Sequence, residues 1–123
     1  MSHFKALMTA IYPTPDLARA KAWYAEAFGV HPYFDEPFYV GFNVEGYELG
    51  LMPAEPPLHQ PGNQGAVAYW GVENIEVAHA RMLSLGATEL GAVQGVGGDI
   101  KVSMVADPFG NALGLIENPG FGK

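Results

Sequence analysis

The sequence predicts an α+β fold in which one supersecondary module occurs twice, and three observations carry this. The second half echoes the first: Thr9-Ala10-Ile11-Tyr12 over Val67-Ala68-Tyr69-Trp70 brings Asp16-Leu17 onto Asn74-Ile75 and Ala20 onto Ala78. After a one-residue gap, Phe28-Gly29 falls on Leu85-Gly86. The halves also end alike, with Leu49-Gly50-Leu51-Met52-Pro53 returning as Leu113-Gly114-Leu115-Ile116 and Pro119 a little further on. Finally, each half reads as a strand, an amphipathic helix and a strand-rich stretch. A period this long, present only twice, describes a duplicated module rather than a solenoid. The expected division is a first module over 1–53, a linker over 54–65 and a second module over 66–123.

The first strand spans Lys5 to Thr14 and runs straight into a helix start. Asp16 is an N-cap, and Leu17, Ala20, Tyr24, Ala27 and Phe28 form one helical stripe before Gly29 stops the helix. Between Phe38 and Met52 the chain spells a hairpin about the two-residue turn Glu45-Gly46. Pairing Val44 with Tyr47 sets Phe42 opposite Leu49 and Val40 opposite Leu51, an apolar face suited to a helix. The other face carries Tyr39, Gly41, Asn43, Glu48, Gly50 and Met52. Two glycines opening space beside a lone carboxylate fit a cavity wall, and a solvated face accounts for the polar members equally well.

Pro, Gly and Gln dominate the linker. Ala66 to Val72 is again a strand, and Asn74, Ile75, Ala78, Met82, Leu85 and Gly86 repeat the helical pattern. Gln94-Gly95-Val96-Gly97-Gly98-Asp99 is a strand connection rather than a phosphate loop, because no helix follows whose N-terminus would hold an anion. Val102 to Ala106 and Ala112 to Ile116 close a hairpin around Asp107-Pro108-Phe109-Gly110-Asn111, with proline early and glycine late as a turn requires.

Composition bounds the function. The chain has 123 residues, 49% apolar and 15% charged, enough for one domain with its own core. It has no cysteine, which excludes disulfides, thiolate metal sites and a cysteine nucleophile. Six basic against thirteen acidic residues, a net charge of −7, argue against nucleic acid as a partner. No apolar run approaches the ~20 residues that span a bilayer, and Met1-Ser2-His3-Phe4-Lys5 lacks a signal-peptide core. No membrane association and a cytoplasmic location are expected.

Asp16-Leu17 opening the first helix, Trp23-Tyr24 within it, and Asp107-Pro108-Phe109-Gly110-Asn111 before the last strand, set in this duplicated order, resemble the vicinal oxygen chelate superfamily. This is the glyoxalase, bleomycin-resistance and extradiol-dioxygenase group. The resemblance covers nearly the whole chain and implies paired βαβββ modules whose strands curve into a cup, with helices on the convex side. It also implies a homodimer, as is common for small members. Metal-using members carry a His about seven positions before the residue that opens each helix, and a Glu near the middle of each module's last strand. Here those positions hold Thr9, Val67, Gly50 and Gly114, none of them a ligand. A metal site needs at least three well-placed donors, so no family-type metal centre is expected. A divalent metal held by unconventional ligands stays open.

The other histidines read as structural: His3 near the terminus, His31 in a turn, His59 in the linker and His79 on the solvated side of the second helix, beside Arg81. Glu117 falls out of step with the inward parity of Gly114 and Ile116. The expected function is therefore metal-free binding of a small organic molecule in the cup, on a wall formed by Thr9, Ile11, Tyr39, Asn43, Glu48, Met52 and Tyr69. Val67 shares the inward parity of Tyr69. The acidic balance favours a neutral or cationic ligand. An enzyme remains the alternative, either a lyase, isomerase or dioxygenase with unusual metal ligands, or acid–base chemistry with Glu48 as base and Tyr69 polarising an oxygen. A third reading is a structural dimer whose cup is filled by its own side chains.

Overall fold

A computed structural model describes residues 3–121. The chain divides between Pro61 and Gly62 into two compact units, a boundary inside the expected linker. The first unit contains β1 (Thr9–Thr14), α1 (Leu17–Phe28), β2 (Pro32–Glu36), β3 (Tyr39–Val44) and β4 (Tyr47–Pro53). The second contains β5 (Tyr69–Gly71), α2 (Ile75–Ser84), β6 (Thr88–Gly97), β7 (Ile100–Ala106) and β8 (Ala112–Glu117). Each is a βαβββ module with one four-stranded mixed sheet, ordered β1-β4-β3-β2 in the first and β5-β8-β7-β6 in the second. The parallel pair is formed by the first and last strands in both.

Local sequence explains the helix limits. Asp16 accepts from Arg19 N at 3.1 Å, Asn74 accepts from Val77 N at 3.1 Å, and Gly29 closes α1 in the left-handed region at φ 66°. The Glu45-Gly46 turn has positive φ at both residues, as a type I′ hairpin requires, and Gly46 N donates to Asn43 Oδ1 at 2.8 Å. The expected register follows: Val44 opposite Tyr47, Phe42 opposite Leu49, Val40 opposite Leu51. The last four of these side chains are fully buried under α1. Tyr24 anchors the helix, stacking on Tyr12 of β1 at 5.6 Å and meeting Trp23 edge-on at 4.9 Å. In the second module Ile75 and Met82 of α2 are buried, as are Val105, Leu113 and Leu115 of the sheet.

Three expectations need correction. The first strand begins at Thr9, not Lys5, because only from there does β1 have β4 as a ladder partner. The fifth is only Tyr69–Gly71, although Gly114 N to Ala68 O and Val72 N to Ile116 O, both 2.9 Å, extend its pairing at each end. His79 does not lie on a solvated helix face: it is 6% exposed and takes the buried position between Ile75 and Met82. Of the Gln94–Asp99 stretch, expected as a strand connection, Gln94 to Gly97 belong to β6 and pair with β7, and only Gly98 and Asp99 make the turn between them, with Gly97 and Gly98 at positive φ.

Candidate functional site

Six of the seven side chains expected to line the wall lie on the face of the first sheet opposite α1. The ladder sets Thr9, Glu48 and Asn43 side by side on β1, β4 and β3, and Ile11, Gly50 and Gly41 in the next row. Met52 and Tyr39 follow by strand alternation. Tyr69, the seventh, belongs to the second module.

The glycines on this face are not open space. A Cβ on Gly50 would sit 2.0 Å from the Tyr39 hydroxyl oxygen and 2.7 Å from Cζ of its ring. Tyr39 therefore lies flat along β4 across Gly50, and this brings its hydroxyl to Glu48, donating to Oε1 at 2.6 Å. Gly41 serves the same end from the other side: a Cβ there would meet Glu48 Oε2 at 2.7 Å and the Tyr33 ring at 3.2 Å. The Tyr33 hydroxyl donates to Glu48 Oε2. Tyr33 reaches this face because the β2–β3 register slips between Pro32 and Phe34, a bulge that turns its side chain toward Glu48. Close approach, not backbone conformation, is why both strand positions are glycine.

Glu48 is thus held between two tyrosines. Partial burial pushes its pKa up, but the hydrogen bonds from Tyr33 and Tyr39, with Thr9 alongside, outweigh this and hold it below the usual carboxylate value. The tyrosines respond in the opposite direction. Burial and the hydrogen bond to Glu48 push Tyr39 up to about 12, and Tyr33 is raised chiefly by its bond to Glu48. Thr9 Oγ1 lies close enough to bear on both Glu48 and Tyr39, yet it is buried with no hydrogen bond of sound geometry. A carboxylate with depressed basicity and both oxygens occupied is a fixed anion rather than a ready proton acceptor. Asn43 has its carbonyl oxygen committed to the turn, and Ile11 is 38% exposed.

Sequence reasoning missed Tyr33 and two aromatics beside it. Phe34 contacts Phe38 at 6.0 Å and Tyr39 at 6.1 Å between ring centres, making a chain of rings along the β2 edge. An open groove of about 490 Å³ lined by Leu17, Lys21 and Val40 lies on the helix side, away from Glu48. Its Lys21 and Asp35 pair with each other at 3.0 Å.

In the second module the ring of Tyr69 covers Gly114, its ladder partner: a Cβ there would lie 2.5 Å from Tyr69 Cδ2. Val67 precedes β5. His79 bridges its sheet from the helix side, with Nδ1 2.9 Å from Ser103 Oγ and Nε2 2.7 Å from Glu89 Oε1. Ser103 is itself buried, so this network ties α2 to β6 and β7. Glu117 points to the same side, its Oε1 accepting from Ile75 N at 2.9 Å at the start of α2. Among the described residues, no three His, Asp or Glu side chains gather as metal ligands would, and no helix is long and apolar enough to cross a membrane.

Comparison with known proteins decides the family. The sequence model of the Glyoxalase/Bleomycin resistance protein/Dioxygenase superfamily matches residues 3–115. The chain belongs to this superfamily. Similar solved structures include a glyoxalase-related enzyme from Fulvimarina pelagi, 18% identical, with TM-score 0.77 over 94% of this chain and 90% of that one. Another is a lactoylglutathione lyase from Agrobacterium tumefaciens, 20% identical, TM-score 0.75, covering 98% and 100%. A third, a glyoxalase/bleomycin resistance protein/dioxygenase family enzyme from Burkholderia phytofirmans PsJN, is 15% identical, TM-score 0.78, covering 92% and 98%. At these identities the likeness is one of fold. No curated protein matches the sequence.

Superfamily membership raises the metal that some members use, and the residues here do not fit one. Thr9 and Val67 hold the positions at which the family resemblance places a His ligand. The two glycines that stand where a Glu would are each overlain by a tyrosine, Gly50 by Tyr39 and Gly114 by Tyr69. At these two glycines there is neither a donor side chain nor room for one.

Proposed function

We propose that this chain is a metal-independent member of the glyoxalase/bleomycin resistance protein/dioxygenase superfamily that binds a small organic molecule. The ligand rests on the first module's sheet around Glu48, with Thr9, Ile11, Tyr33, Tyr39 and Met52 beside it. The observation that carries this reading is the tyrosine-held carboxylate: Glu48 is fixed by Tyr33 and Tyr39 on a face that keeps Tyr33 64% and Ile11 38% exposed. A packed structural core has no need of an ordered anion at an accessible surface, whereas recognition does. The coverage of Gly50 and Gly114 supports the absence of a family-type metal. A homodimer in the cytoplasm belongs to the same proposal, and the dimer is tested by native mass in solution, expected at twice the 13.2 kDa of one chain.

The test is metal content of tag-free protein, then a thermal-shift screen with Zn²⁺, Ni²⁺, Mn²⁺ and Fe²⁺ and with small aromatic compounds. The expected result is no stoichiometric metal and stabilisation by organic compounds alone, reduced in Glu48→Gln. A stoichiometric metal whose stabilisation is reversed by chelator refutes the proposal.

A further inference from the structure

The polar atoms around Glu48 have a common sense. Both tyrosine hydroxyls give their hydrogens to the carboxylate, Tyr33 to Oε2 and Tyr39 to Oε1, so each shows only oxygen lone pairs outward. The carboxylate itself only accepts. Its partners are neutral, so its negative charge is organised but not cancelled. None of the residues of β1 to β4 is Lys, Arg or His, and α1, which carries Arg19 and Lys21, packs on the opposite face of the sheet, with Lys21 paired to Asp35. Flanking this acceptor set is the row of rings, with Tyr33 and Phe38 each 64% exposed and Phe34 38% exposed. Ring faces and a carboxylate together attract a cation, and leave an anion without a partner.

Resting on the binding site proposed above, we infer that its ligand class is the protonated amine carried on an apolar or aromatic body. The ammonium N–H groups bond to Glu48 and the tyrosine oxygens, and the body lies along Phe34 and Phe38. A neutral alcohol satisfies the geometry but not the charge. A quaternary ammonium satisfies the charge but offers no N–H to these oxygens.

Four probes that share one phenyl ring separate these terms: benzylammonium, benzyltrimethylammonium, benzyl alcohol and benzoate, each titrated at pH 7 and followed by amide chemical shifts of the full chain. Benzylammonium is expected to bind at least about tenfold more tightly than the alcohol, with benzoate weaker still. Its shifts centre on Tyr33, Tyr39 and Glu48, and its affinity falls with added salt. Glu48→Gln is expected to remove about tenfold or more of that affinity. Phe38→Ala, at an exposed side chain whose loss leaves the core intact, is expected to weaken it by about threefold. Equal binding of alcohol and ammonium at these residues overturns the amine inference and leaves the binding site standing. Tighter binding of the quaternary probe than of benzylammonium overturns the N–H part. Binding unaffected by either substitution, or shifts confined to other residues, overturns both inference and site, and no binding by any probe overturns the inference.

Discussion

Gly50→Ala probes the central arrangement most directly. The added Cβ would stand 2.0 Å from the Tyr39 hydroxyl oxygen, 2.7 Å from Cζ and 3.1 Å from Cε1, so the ring must lift off β4. Lifting it breaks a hydrogen bond to a charged acceptor, about 1.5–3 kcal/mol in general. Solvent at this half-open face lowers that, while the backbone entropy Gly gives up when replaced by Ala in a strand returns about 0.5–1 kcal/mol. The net expectation is a loss of ~1–2 kcal/mol in urea unfolding. In a Tyr39→Ala background no ring opposes the methyl, and the same substitution becomes neutral or stabilising by up to ~1 kcal/mol. An alkaline titration of tyrosine absorbance gives a second reading. The Tyr39 pKa, about 12 in the folded protein, moves back toward 10 in Gly50→Ala. A group whose folded pKa is raised adds stability that is whole below pH 10 and fades between pH 10 and 12. The full displacement corresponds to at most ~2.7 kcal/mol, reduced at this face to ~1–2 kcal/mol. A Gly50→Ala cost that is the same with and without the Tyr39 ring, or a late-titrating tyrosine that persists in Gly50→Ala, refutes the reasoning.

Three further expectations follow from the same geometry. Gly114→Ala must rotate the Tyr69 side chain away, but that ring is 45% exposed and loses little by moving, so its melting temperature falls less than that of Gly50→Ala, at a cost of ~1 kcal/mol. Glu48→Gln is destabilised relative to wild type at pH 7. Because the folded pKa is lowered, the carboxylate's contribution is present above its ordinary value of 4.5 and disappears as the pH falls below it. Urea midpoints from pH 7 to pH 3 are therefore expected to converge. His79→Ala removes a buried ring and both of its hydrogen bonds, at a cost of ~2–4 kcal/mol in chemical denaturation. A cost under ~0.5 kcal/mol would place the histidine outside the packing of α2.

The parts of this fold that are legible in the sequence are those fixed by chemistry within a few residues. Asp16 and Asn74 announce helix starts because their side chains bond donors three residues away. Glu45-Gly46 sets the whole β3–β4 register because a two-residue turn leaves one pairing. The rest depends on partners distant in the chain. His79 looks like a surface residue beside Arg81, and only Ser103 and Glu89, 24 and 10 residues further on, make its burial tolerable. Tyr33 would face the helix side by strict alternation from Glu36, and the bulge that turns it toward Glu48 has no local sequence signature. Glu48, Tyr39 and Thr9 were readable as neighbours on one face. That the glycines between them make room for a tyrosine, rather than for a ligand, was not, since an absent side chain does not say what replaces it.

The second module shows that this filling is not a passive inheritance of the repeat. Both modules place a glycine on the strand between the parallel and antiparallel neighbours, and both cover it with a tyrosine, but from opposite sides. Gly50 is covered from β3 by Tyr39, whereas its direct partner on β1 is Ile11. Gly114 is covered from β5 by Tyr69, which stands where the repeat puts Ile11. Different strands thus reach the same end, a ring over the glycine at which the family resemblance places a carboxylate. The consequences differ. Tyr39 lies along β4 and delivers its hydroxyl to Glu48, while the Tyr69 ring covers a module with no carboxylate matching Glu48: the repeat puts Ala112 of β8 in that place. The anion is therefore a feature that distinguishes one module from its copy, and the proposed binding site is placed on the first module because of that asymmetry.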